Sequence, residues 1–195
     1  MSGGFPPRAE HPAEIAILLE GLGTVVEGRA ATYVSSPLTT GLTASEWHLR
    51  NGGRSDPDGI EDFYESVVVP NRREAAAYVR ELRKTRGVVI DPTAMGDLPD
   101  WTQDDYRFFW GRVIELYANE VVFRDGWQHS SGCAYEFFVA HRRGATVLRQ
   151  DLTALPREEG RELVTAAVEE CEAGGAPAEF LRGVVQALNE SAVAP

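Results

Sequence analysis

One carboxylate stands in a segment that is otherwise small, aromatic or aliphatic. In SSGCAYEFFVAHRRG (130–144), Glu136 is followed directly by Phe137, Phe138, Val139 and Ala140. The pattern predicts a helix that opens after Ser131-Gly132 and stops at Gly144, where glycine is the common terminator. A helix start presents unpaired N–H groups and the positive end of the dipole, so it favours a side-chain carboxylate or a ligand anion. Placed within the first turn or so, Glu136 would be held ionised, the state that a nucleophilic or charge-stabilising carboxylate needs. A capping box does not explain it, because Cys133 follows Ser130 by three residues and Ala134 follows Ser131. On these grounds a dipole-favourable ornament and a chemical group both stay open.

Other chemistries fit less well. Cys133 with His129 or His141 would suit a thiol hydrolase, but nothing orders a third partner. The four histidines and two cysteines lack His-x-x-x-His or Cys-x-x-Cys spacing, so no metal site is expected. No phosphate loop of the Gly-x-x-x-x-Gly-Lys type is present. The Arg142 and Arg143 pair reads as a solvated helix end that complements the dipole.

The elements that must position Glu136 come from periodicity. Short β-like runs occur at 31–38, 87–91, 120–124 and 145–149, with helical stripes between them, such as Ala75, Tyr78, Val79 and Leu82. Strands alternating with helices predict an α/β fold with a mostly parallel sheet covered on both faces. Polar and turn residues cluster just after the strands, at SSPLTTG, DPT, RDGWQHSSG and QD. Ligands bind beyond the carboxyl ends of such strands, so the chemistry is expected on one rim. The long connection from Thr39 to Asn71 holds Trp47, His48, Arg50 and Arg54, candidates for a cover over whatever ligand binds at the rim. Residues 1–30 read as a tail, disordered over 1–12, and a short helix stopped at Gly21 or Gly23; 31–150 as the α/β domain; and 151–195 as a helical extension. A net charge of −11 disfavours polymeric nucleic acid and anionic membranes as partners. Two cysteines, and the lack of a signal-peptide pattern or a long apolar run, point to the cytoplasm.

Two segments, YVSSPLTTG and VVFRDGWQHSSGCAYEFFVAHRRGATV, together resemble the nucleoside 2-deoxyribosyltransferase-like superfamily over roughly residues 31–150. The resemblance implies a flavodoxin-like, Rossmann-like three-layer sandwich and cleavage of the N-glycosidic bond of a nucleoside or nucleotide. Glu136 matches the family's nucleophile, which attacks the anomeric carbon; water or a second base then resolves the glycosyl-enzyme. Tyr33, Ser35 and Pro37 match the first loop beside sugar and base, and Gly41 closes it. Ser131 and Gly132, with Ser130 before them, match the turn that holds the sugar's 5′ end or a phosphate. Asp91 sits at the rim after the second strand, Trp127 could stack on the base, and Arg54 could reach the phosphate. The sequence departs from the transferases at Ser130, where they often carry a sugar-orienting Asp. It departs again at the base-handling acid, for which Asp105 on the preceding helix, or Asp125 in part, are the candidates. These departures favour hydrolysis of a nucleotide. Base exchange and a nucleotide-sensing module without turnover are the alternatives. The family implies no cofactor and a homodimer or larger homo-oligomer.

Overall fold

The computed structural model describes residues 5–51 and 56–190. Strands β1 (Ala31–Ser35), β2 (Val88–Ile90), β3 (Ala118–Phe123) and β4 (Thr146–Arg149) form one parallel sheet in the order β2-β1-β3-β4. This is the first part of the flavodoxin-type order, which continues to a fifth strand in its full form. The chain leaves β1 towards β2 and returns to β3, so the topological switch point lies between β1 and β3.

The two-residue period of the strands sorts their side chains into two cores. Val34, Val89, Val122 and Leu148 face helix α4 (Val69–Leu82), meeting Val79 and Leu82. Tyr33, Val121, Phe123 and Val147 face the other way, into the larger core. That core is built with α1 (Pro12–Val26), α5 (Gln103–Tyr117), α6 (Ser131–Arg143), α7 (Arg157–Ala173) and α8 (Glu179–Glu190). The N-terminal helix and the C-terminal pair therefore share one core with the sheet. Among the described residues, no helix is long and apolar enough to cross a membrane.

The long connection after β1 carries α2 (Leu42–Asn51), α3 (Pro57–Phe63) and a wide π-helical turn (Tyr64–Val68) that runs directly into α4. Its own small core joins Ala44, Trp47 and Val67, with Phe63 packed against them.

Two sequence expectations are corrected. Helix α1 passes through Gly21 and Gly23 to Val26. A Cβ at Gly23 would lie 2.8 Å from the Tyr117 hydroxyl, which donates to the Leu19 carbonyl at 2.7 Å, so this glycine serves close packing and not termination. The N-terminal segment from Phe5 is also docked. The Phe5 ring meets Tyr135, Phe138 and Phe180 edge-on at 5.7–6.0 Å, and the Glu10 and His11 N–H groups donate to Asp105. Residues 1–4 of the expected disordered tail lie outside the described residues.

Helix α7 approaches α6 through Gly160, where a Cβ would fall 2.0 Å from the Phe137 ring. Phe137 is fully buried and cannot swing away. Gly160→Ala is therefore expected to cost about 1–3 kcal/mol or more by overpacking, read as a fall of several degrees in Tm.

Candidate active site

Tyr33 and Ser35 lie two residues apart at the carboxyl end of β1, so their side chains leave the same face of the sheet. Both meet Glu136 of the neighbouring α6. The Tyr33 hydroxyl donates to Oε1 at 2.7 Å, and the Ser35 hydroxyl donates to Oε2 at 2.6 Å. One donor on each oxygen fixes the carboxylate plane. Tyr33 and Ser35 are fully buried and Glu136 is only 7% exposed, yet Glu136 lines a cavity of about 310 Å³ beyond the strand ends. Such a volume suits a small ligand. The carboxylate thus stands at the switch point between β1 and β3.

Its electrostatics reverse the sequence expectation. Ser130 is the helix N-cap, accepting the Cys133 N–H, so Glu136 is the sixth helical residue and lies in the second turn. The dipole fades beyond the first turn, and burial dominates instead. Burial pushes the Glu136 carboxyl up to about 7, and the hydroxyls of Ser35 and Tyr33 pull it back only in part. Tyr33 is driven well above the ordinary phenol range by burial and by the adjacent Glu136 charge, so it is a neutral donor. Burial, with the Glu136 charge beside it, pushes the Cys133 thiol up to about 12. A buried thiol of this kind is no thiolate nucleophile.

The turn before α6 opens onto the same cavity as Glu136. Ser130, Ser131 and Gly132 all line the cavity. Ser130 Oγ accepts from the Thr40 hydroxyl at 2.8 Å, joining the turn to the first loop. Ser131 Oγ accepts from Arg107 at 2.8 Å, and Arg107 is itself paired with Asp104. Gly41 adopts φ +106°, a conformation that glycine takes readily, and a Cβ there would stand 3.0 Å from Pro37 Cβ. Pro37 and Gly41 shape the first loop while Leu38, Thr39 and Thr40 face the cavity.

Several expected site residues have other roles. Asp105 is fully buried away from the cavity; its oxygens accept from the N–H groups of Glu10, His11 and Thr102. It also closes a capping box with Thr102 at the start of α5. Asp125 borders a separate cleft of about 270 Å³ with Pro37 and Gln150. Trp127 is 4% exposed and stacks on Phe137 at 4.6 Å, so it is a core residue and not a base platform. Asp91 accepts from the Thr93 N–H and hydroxyl, holding the turn that offers Pro92 and Thr93 to the cavity. Arg54 lies outside the described residues. Trp47 is buried, its indole N–H donating to Asp62 at 2.7 Å, and neither His48 nor Arg50 lines the cavity.

The connection does cover the cavity, but with other residues. Ile60, Tyr64, Val68 and Arg72 line it at four-residue intervals, with Phe63 beside them. Such a row drifts around an α-helix of 3.6 residues per turn; the wide π turn at Tyr64–Val68 takes up the drift and keeps the row aimed at one side. The four-residue spacing was the available signal, obscured because a π turn has no sequence mark. Trp110 of α5, also missed, lines the cavity and meets the Tyr33 ring edge-on at 6.0 Å.

A carboxylate of this kind could attack an electrophilic carbon or shuttle a proton. No family model, curated protein or solved structure matches the chain.

Proposed function

We propose that this protein is an N-glycosidase of the nucleoside 2-deoxyribosyltransferase-like superfamily. It cleaves the base–sugar bond of a nucleoside 5′-monophosphate or nucleoside, with Glu136 as nucleophile. The observation that carries the reading is the buried Glu136 carboxylate, held by Tyr33 and Ser35 where β1 and β3 open onto a cavity. The two motifs that resemble the family contribute these residues and the Ser130–Gly132 turn.

In this mechanism the sugar's 5′ end or phosphate sits at the N-terminus of α6, where free N–H groups favour an anion. The anomeric carbon then faces Glu136. An ionised Glu136 oxygen forms a bond to that carbon as the C–N bond breaks, through an oxocarbenium-like transition state. Water hydrolyses the resulting glycosyl ester and frees the carboxylate. Tyr33 and Ser35 hold the attacking oxygen in place.

Because only the ionised carboxylate attacks, kcat/KM should rise with pH through a midpoint near 7. The Tyr33 hydroxyl favours the charged form, so in Tyr33→Phe the midpoint should move to higher pH. An unmoved or acid-shifted profile would argue against Glu136 as the titrating group.

The direct assay is chromatography of free base after incubation with a panel of nucleotides and nucleosides, with and without an added acceptor base. Release that needs no acceptor is expected. Acceptor-dependent release would mean base exchange. Ligand-induced thermal stabilisation with no release would mean a sensing module.

A further inference from the structure

Asp105 and Asp125, the acids expected to handle the departing base, do not line the cavity, which leaves Asp97 and Arg72 as its charged groups besides Glu136 among the described residues. Among the described residues that line it, Arg72 is the only cationic side chain. Its guanidinium makes one long contact, 3.5 Å from Nη1 to the Tyr64 hydroxyl, and no ion pair among the described residues. Buried polar side-chain atoms almost always have partners. Of those without one here, Arg72 Nε and Ser36 Oγ are the two whose residues line this cavity.

Position decides what these donors face. Arg72 lies near the start of α4, on the sheet face opposite α6, whereas Ser131 and Gly132 begin α6. The two groups close the cavity from opposite sides, with Glu136 between the sheet and α6. If the sugar's 5′ end occupies the α6 turn, the other end of the ligand meets Arg72. The wall leading to Arg72 is apolar and aromatic. Ile60 and Tyr64 are 60% and 42% exposed there, although large apolar side chains usually seek cover, and Phe63 and Val68 adjoin them. A flat heterocycle edged by hydrogen-bond acceptors fits such a wall with a guanidinium at its end.

We infer that Arg72, assisted by Ser36, binds the acceptor edge of the leaving base and stabilises the negative charge it acquires. This rests on the reading of Glu136 as nucleophile. The C–N electron pair goes to the base nitrogen while a Glu136 oxygen bonds to the anomeric carbon. The base leaves as an anion hydrogen-bonded to Arg72 and takes a proton from water. The hydroxide so formed hydrolyses the glycosyl ester, giving free sugar and ionised Glu136. Arg72 stays protonated throughout, its pKa being too high for it to give up a proton. The donors act where charge develops, so they matter most when the leaving group is poor. The substrate class is a nucleotide whose base presents adjacent oxygen or nitrogen acceptors.

The test compares Arg72→Gln with the unaltered chain on two substrates that share a sugar phosphate. One carries the natural base and the other carries 4-nitrophenol, which leaves readily. The expected loss in kcat is on the order of 10²-fold for the natural base and only about threefold or less for the 4-nitrophenyl compound. Equal losses on both, absent from unphosphorylated substrates, would make Arg72 a phosphate clamp and overturn the inference. So would wild-type behaviour in Arg72→Gln, or the same leaving-group dependence in Asp97→Asn, since Asp97 is the other carboxylate lining the cavity. These outcomes leave Glu136 untouched. Loss of both activities in Glu136→Gln supports the nucleophile independently, and no turnover of either substrate by the unaltered chain defeats both readings.

Discussion

Glu136→Gln is expected to abolish base release while making the protein more stable above neutral pH. The amide cannot attack the anomeric carbon, so kcat should fall on the order of a thousandfold or more. The stability change follows from the proton. Glu136 titrates at about 7 in the folded chain against 4.5 for an ordinary glutamate. Its folded-state pKa is raised, so the associated stability is fully present below pH 4.5 and is lost as pH rises through about 7. The loss at high pH is roughly 3 kcal/mol, because each pKa unit corresponds to about 1.4 kcal/mol. Glutamine has nearly the same shape, carries no charge and can bond to the same two hydroxyls. Urea denaturation at pH 8.5 should therefore show the variant more stable by about 2–3 kcal/mol, with the gap closing by pH 4.5. A variant less stable than the parent at pH 8.5 would mean that Tyr33 and Ser35 fully offset the burial of the charge.

Asp105→Ala should be among the most destabilising single substitutions in the chain, without a specific effect on turnover. The carboxylate is fully buried and serves three backbone N–H groups, the Thr102 hydroxyl and the His11 ring. Removing it leaves those donors without a partner and unties the N-terminal segment from α5. The expected cost is about 3–5 kcal/mol, typical of breaking a buried charged network. Burial pushes the Asp105 carboxyl up, but the bonds from Thr102 and His11 outweigh it and hold the pKa well below the usual carboxylate range. Its contribution is therefore present above that range and is lost as pH falls, which favours unfolding in acid. Denaturation curves read the loss. Turnover per folded molecule should stay within a few-fold of the parent, whereas a base-handling acid would lose kcat at full stability.

The sequence was most informative where periodicity and turn chemistry agree. Four apolar runs became four parallel strands, and each polar cluster fell at a strand's carboxyl end. Glu136 and the Ser130–Gly132 turn line the cavity, whereas Tyr33 and Ser35, expected in the first loop, are buried residues of β1 that reach the cavity only through Glu136. The failures have distinct physical causes. Asp105 has a polar name and an internal job: its partners Glu10 and His11 are more than ninety residues away, beyond the reach of local spacing. Trp127 could be read as a ring for the base or as a packed loop aromatic, and Phe123 and Phe137 enclose it as the latter. The raised Glu136 pKa comes from burial, and the N-cap at Ser130 sets the carboxylate two residues farther along the helix than a start after Gly132 would. Arg72 was hidden by a π turn that realigns its helix.

The most direct measurement of the central claim is the mass of the enzyme during turnover. The substrate would be a nucleotide bearing fluorine at the sugar's 2-position, which slows hydrolysis of a glycosyl ester. Rapid acid quenching, intact mass and peptide mapping would then locate any adduct. The expected result is a gain equal to the fluorinated sugar phosphate residue, carried on Glu136 in the peptide around residues 131–142, and absent from Glu136→Gln. An adduct on another residue, or base release in which oxygen-labelled water attacks the sugar with inversion and no adduct forms, would contradict Glu136 as the nucleophile.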